Sequence, residues 1–281
     1  MSTANGLPRF DSVVFAGGGN RCFWQAGFWS VLASQSQRAP LRIAAVSAGA
    51  AVSCALFSDT FENGFLAYKR ALATNQRNFY LKNLMRRQPV FPHGSMYREA
   101  ILKSIDRQAL SRLHQGPDIT VLMACPPRWA SRSIAMLLGM VAVGVDAIQY
   151  HEVHTSGGKR VGFRPVFRSV RQCASPEALA DLIIASSCVP PLTPQARRDG
   201  MVLFDGGLFS NVPVDGIAQD SGQTLVLLTR QYSHLPSIAG RTYVQPSQLI
   251  PVAAWDYTNA AAVQSAYDLG RRDGERFCIA S

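Results

Sequence analysis

Charge is scarce in this 281-residue chain, and acidic charge scarcest: Asp, Glu, Lys and Arg make up 16% of residues, and 18 acids face 28 Lys and Arg. So few charges beside 47% apolar residues exclude an intrinsically disordered chain. None of the six cysteines forms a C-x-x-C pair, which argues against a zinc ribbon or a redox motif. Several stand in apolar or Ala-rich contexts that suit buried free thiols. The longest apolar run, 134–145, is twelve residues, short of the ~20 that a membrane-spanning helix needs. A buried core element is the expectation for it. Residues 1–10 lack the charged-then-apolar order of a secretory signal. No internal repeat, low-complexity tract or interdomain linker is visible. These absences point to one domain over 1–281, located in the cytoplasm; peripheral attachment to the membrane is an expectation that rests on the basic stretch from Lys69 to Arg112.

What charge there is lies unevenly. Between Lys69 and Arg112 stand ten Lys and Arg but only two acids, Glu99 and Asp106. Such a stretch suits an anionic partner, such as a phospholipid bilayer, a nucleic acid or an acidic protein, or it is simply a solvated face. No nucleic-acid motif accompanies it; were the partner a bilayer, Phe79, Tyr80, Phe91 and Tyr97 would sit at its interface.

Along the chain, short apolar runs alternate with helix-compatible stretches. A β-like run at 12–16 ends in three glycines, and 22–33 carries the spacing of a largely buried helix. A second apolar run at 41–46 ends at Ser47, followed by an Ala-rich helix at 48–57. This alternation predicts an α/β fold with a mostly parallel sheet. Basic amphipathic helices are expected over 61–113, broken around Pro89 to Gly94. Further strands are expected at 118–125, 162–167, 201–204 and 223–228. Ser175, Pro176 and Glu177 open a helix over 176–187, and a last helix is expected over 259–272.

Three strand ends carry chemistry. At the first, Gly17-Gly18-Gly19-Asn20-Arg21 lets backbone approach a ligand closely. The dinucleotide fingerprint fails, because Cys22 stands where its third glycine belongs, and no Walker lysine follows. An oxyanion hole of backbone amides and a plain tight turn stay open. At the second, Ala45-Val46-Ser47-Ala48-Gly49 has the strand–serine–helix context of a nucleophile elbow, or of a serine that only caps a helix. At the third, Asp205-Gly206-Gly207 puts an acid at a strand's end, or marks a hairpin turn.

Taken together these turns resemble the patatin-like phospholipase family: a Gly-rich loop, a serine elbow, then D-G-[AG]. The blocks Ala185-Ser186-Ser187-Cys188-Val189-Pro190-Pro191 and Asn211-Val212-Pro213 are also similar, and the resemblance spans about residues 10–215. Cys22 and Ala45 depart from it, each replacing a glycine of the motifs. The resemblance implies a three-layer α/β fold, a central sheet flanked by helices, and a lipid acyl hydrolase of phospholipase A type. It implies Ser47 as nucleophile and Asp205 as its base. Gly17, Gly18, Gly19, Arg21 and Ala48 would bind the oxyanion and substrate, with no metal or cofactor. A Ser–Asp–His triad competes, and only His234 follows Asp205 in the chain. The rival function is a lipid-binding protein on the same fold whose catalysis is lost through Cys22 and Ala45.

Overall fold

In a computed structural model, the described residues are 9–36, 39–130, 133–135, 137, 153–154, 157–190, 192–193, 196–198, 200–218 and 222–280. Most of the apolar run at 134–145 lies outside them. The strands are β1 (Ser12–Phe15), β2 (Arg42–Val46), β3 (Asp118–Cys125), β4 (Arg164–Ser169), β5 (Ala196–Arg198), β6 (Met201–Asp205), β7 (Thr224–Leu227) and β8 (Arg241–Val244). The helices are α1 (Cys22–Gln35), α2 (Ala48–Phe57), α3 (Phe61–Thr74), α4 (Lys82–Met85), α5 (His93–Ser104), α6 (Arg107–Gln115), α7 (Gly157–Arg160), α8 (Pro176–Ser186) and α9 (Ala260–Ala280).

The fold is mixed α/β, a mostly parallel central sheet flanked by helices. Strands run in the order β5-β6-β3-β2-β1-β7-β8, and β4 pairs with β3 off this path. The five strands from β3 to β8 are mutually parallel. Side-chain alternation sorts the strands' residues between two faces. Val13, Phe15, Ile43, Ala45, Val121, Leu225 and Leu227 join the buried side chains of α1, α2, α6, α8 and α9. Val14, Ala16, Ala44 and Val226 point the other way, onto Val212, Val214, Ile217, Tyr232 and Tyr243. Among the described residues that second face is covered largely by short helical turns rather than long helices.

One feature of the topology positions the site. β4 pairs with residues 120–125 of β3, so it takes one edge of that strand. β2 pairs with 118–122 and must take the opposite edge. β6 pairs antiparallel with Met123 and Ala124, which β4 also flanks, so β6 shares the edge held by β2. β2 and β6 therefore meet end to end in one slot. Val46 lies opposite Leu122 and Asp205 opposite Met123, so Ser47, the next residue after β2, arrives beside Asp205.

Most sequence-based boundaries agree within two residues. α9 runs to Ala280 rather than 272. It packs so closely on α1 that a Cβ at Gly270 would lie 2.0 Å from the Trp24 carbonyl, and Trp24 Nε1 donates to the buried Asp273 at 2.8 Å. The short strands β5 and β8 went unanticipated. Ser175 caps α8 as expected, accepting from Ala178 N at 3.2 Å. None of the six cysteines forms a disulfide, and five of them are buried. No helix among the described residues is long and apolar enough to cross a membrane.

Candidate active site

Ser47 sits on the turn between β2 and α2 with φ 55° and ψ −134°, a backbone conformation that costs an L-residue of order 1–3 kcal/mol. Its neighbours hold it there. Its amide donates to Ser186 Oγ at 2.8 Å, and Ser186 in turn donates to the Leu122 carbonyl at 2.6 Å. Gly49 lets α2 start hard against the end of β1: a Cβ there would lie 2.6 Å from the Ala16 carbonyl oxygen. Ser47 occupies the N-cap position of α2, yet its hydroxyl makes no capping bond. It donates instead to Asp205 Oδ2 at 2.6 Å.

Asp205 ends β6 and is as buried as Ser47, at 7% and 5% exposure. Its other oxygen accepts from Gly207 N at 2.7 Å across a helical turn, Gly206–Leu208, so the D-G-G segment is no hairpin. Burial raises the Asp205 carboxyl from 3.8 to about 6, opposed by the hydrogen bonds from Ser47 and Gly207. A carboxylate with an affinity for protons near neutrality is a better base than a solvated aspartate.

The glycine loop lies alongside. Gly17 is fixed through both of its backbone polar groups: its N–H donates to Asn211 O at 2.9 Å, and its carbonyl accepts from Asn211 Nδ2 at 3.1 Å and Thr229 Oγ1 at 2.5 Å. This corrects the expectation that Gly17 contributes an oxyanion donor, because its amide is already engaged. The amides of Gly18, Gly19 and Ala48 donate to no described residue. Gly19 takes φ 57°, and a Cβ there would lie 2.2 Å from the Ala254 carbonyl, so this position demands glycine. Arg21 Nε bonds the Gly18 carbonyl at 3.3 Å, a contact that holds the loop's shape.

The two departures from the motif are absorbed. Cys22 is fully buried, with its thiol 3.5 Å from the Ala16 carbonyl. The Ala45 methyl belongs to the helix-side core.

In front of Ser47 opens a cavity of about 90 Å³. Gly19, Ser47 and Ala48 line it together with Phe23, Ala51, Phe65, Ile101, Trp255 and Tyr257. Tyr97 also lines it, with its hydroxyl 3.3 Å from Ser187 Oγ, and burial holds that phenol well above its ordinary pKa.

A family model for patatin-like phospholipases matches residues 13–217, well over half of the chain. The chain belongs to the patatin-like phospholipase family. Membership supports a lipid acyl hydrolase function in general terms. The structure of VipD from Legionella pneumophila aligns with 97% of this chain and 67% of its own, at 11% identity and a TM-score of 0.45. No curated protein sequence matches the chain.

The structure thus brings Ser47, Asp205, Gly17, Gly18, Gly19, Arg21 and Ala48 into one neighbourhood. His234 is exposed, and no described histidine bonds Ser47 or Asp205. Sequence reading had flagged the blocks holding Ser186 and Asn211 without giving either residue a role. It missed Thr229, which lies two residues past β7, and Trp255 and Tyr257, which come from beyond the family match. Thr229 was within reach of the rule that strand ends face the site. Nothing local marks the other two.

Proposed function

We propose that this chain is a serine hydrolase of fatty-acyl esters, with phospholipids as substrates, working through a Ser47–Asp205 dyad. The observation that carries the reading is the 2.6 Å bond between two buried side chains, one of them on a strained turn after a strand. Ser47 Oγ attacks the acyl carbonyl while Asp205 Oδ2 takes the hydroxyl proton. The amides of Gly18, Gly19 and Ala48 are the candidate donors to the tetrahedral oxyanion, where one such donor is worth about 3 kcal/mol. Collapse returns the proton from Asp205 to the departing alcohol and leaves the acyl group on Ser47. Asp205 then deprotonates a water that attacks the ester, and it returns that proton to the Ser47 oxygen as the fatty acid leaves.

The apolar lining of the cavity suits an acyl chain, and the exclusion of water strengthens polar contacts beside it. The rival reading, a fold that binds lipid without cleaving it, needs Cys22 and Ala45 to distort the loop and the elbow. Both side chains are accommodated in packed surroundings.

Mass spectrometry of fatty acids released from mixed phospholipid vesicles tests the proposal. The natural protein and His234→Ala release fatty acid at similar rates, whereas Ser47→Ala and Asp205→Asn lose on the order of 10⁴-fold. Equal release by all four ends the proposal.

A further inference from the structure

The basic stretch does not present its charge evenly. Lys69 Nζ reaches Gln264 at 2.5 Å and lies over the Phe65 ring, Arg98 pairs with Asp181, and Lys103 pairs with Glu99. Arg112 Nε bonds the Ser58 carbonyl. Cations that form no ion pair among the described residues gather instead at 77–87, where Arg77, Lys82, Arg86 and Arg87 are all exposed. No acid occurs in the chain between Glu62 and Glu99.

Interleaved with those cations are apolar side chains that the fold leaves in water. Leu81 is 63% exposed, Leu84 67% and Met85 83%, with Phe79 at 45% beside them. They stand on a built loop. Arg87 N bonds Leu84 O at 3.2 Å and Gln88 N bonds Asn83 O at 2.9 Å, the double closure of a Schellman turn. Tyr80 N bonds Val90 O at 2.8 Å, and the Phe79 and Phe91 rings meet at 5.3 Å. At φ 53°, Arg87 holds the position where glycine is usual, so a cation stands there against backbone preference.

The loop is tied to the wall of the acyl cavity. Asn78 Oδ1 accepts from Tyr257 N at 2.7 Å, Asn78 Nδ2 donates to Asp256 at 3.2 Å, and Asn75 Nδ2 donates to the Tyr257 carbonyl at 2.7 Å. Tyr257 lines the cavity in front of Ser47.

We propose that this loop docks the protein on an anionic phospholipid surface. Leu81, Leu84 and Met85 enter the boundary between headgroups and acyl chains, and Arg77, Lys82, Arg86 and Arg87 meet the lipid phosphates. Cations mixed among exposed apolar side chains match an interface that is itself anionic outside and apolar within. An acidic protein or a second copy of the chain would not satisfy both halves of that pattern. The inference takes its ligand class from the reading of Ser47 and Asp205, but its test does not depend on turnover.

The test sediments the 281-residue Ser47→Ala protein with vesicles of phosphatidylcholine, with or without phosphatidylglycerol. Binding is expected on the anionic vesicles. The double variants Leu84→Asp with Met85→Asp, and Arg86→Ser with Arg87→Gly, weaken it about tenfold or more. A Met85→Trp variant reports on local position, and its emission shifts to the blue on anionic vesicles. Any of three results overturns the proposal: no preference for anionic vesicles, binding unchanged in both double variants, or a bound Met85→Trp protein whose emission does not shift. A dimer that the same double variants abolish also overturns it. Hydrolysis of a soluble short-chain ester by proteins that retain Ser47 reads the dyad separately. Lost hydrolysis with intact docking sinks the dyad alone, and intact hydrolysis without docking sinks the loop alone.

Discussion

Ser47 and Arg87 share a positive φ, 55° and 53°, which L-residues rarely adopt, and almost nothing else. Ser47 is buried, and its surroundings fix it from three sides: its amide on Ser186, its hydroxyl on Asp205, and the following helix seated against β1 through Gly49. Arg87 is exposed and, among the described residues, its hydrogen bonds are those of the turn it belongs to. Strain at Ser47 is thus imposed by the fold around it, whereas strain at Arg87 is retained although glycine would relieve it. In each case the side chain supplies what glycine lacks, a hydroxyl in one and a cation in the other.

The largest effect that sharpens this contrast is expected at Ser186. In Ser186→Ala the Ser47 amide and the Leu122 carbonyl both lose a buried partner, which costs about 4 kcal/mol at one to three for each group. Chemical denaturation reads that loss, and kcat falls with it because the elbow loosens. A loss below about 1 kcal/mol would mean that the turn is not over-determined.

Asp205→Asn comes next and goes the other way. Its carboxyl has an ordinary value of 3.8 and rises to about 6 in the folded chain. Below the lower value, both the folded and the unfolded states carry the proton. Between the two values only the unfolded chain ionises, so folding stability declines as pH rises through that window and stays reduced above it. Asp205→Asn escapes this penalty. It is therefore more stable than the natural protein above pH 6, by up to about 3 kcal/mol, and the gain vanishes near pH 4. Thermal unfolding across that range measures it, and a gain independent of pH would contradict the assigned cause.

The smallest effect is Arg87→Gly, which releases left-handed strain on the surface and stabilises by about 1 kcal/mol. It leaves hydrolysis of a soluble ester unchanged. A destabilisation would show that the Arg87 side chain holds the loop through contacts of its own.

What could be read in the sequence was local. An apolar run that stops at Ser47 and passes into an Ala-rich stretch already specifies strand, turn and helix, because each signal lies within a few residues of the next. Asp205 was legible for the same reason. The approach of β6 from the far end of β3, which sets Asp205 beside Ser47, depends on two strands sharing one edge of a third, and no window of sequence carries that. Gly17 shows the same limit. Three consecutive glycines look equivalent, yet Asn211, 194 residues away, removes one amide from service. β5 and β8 were missed because three residues with two arginines and a short R-T-Y-V run carry too little pattern against a loop. α9 outran its expected end because Gly274, ordinarily a helix breaker, packs against Phe28 of α1.

The most direct measurement is the site and rate of labelling by a fluorophosphonate, followed by intact-protein and peptide mass spectrometry as a function of pH. A single adduct on Ser47 is predicted, forming more slowly as pH falls through about 6 and failing to form in Asp205→Asn. An adduct on another residue, or equal labelling of Asp205→Asn at every pH, would contradict the pairing of this serine with this aspartate.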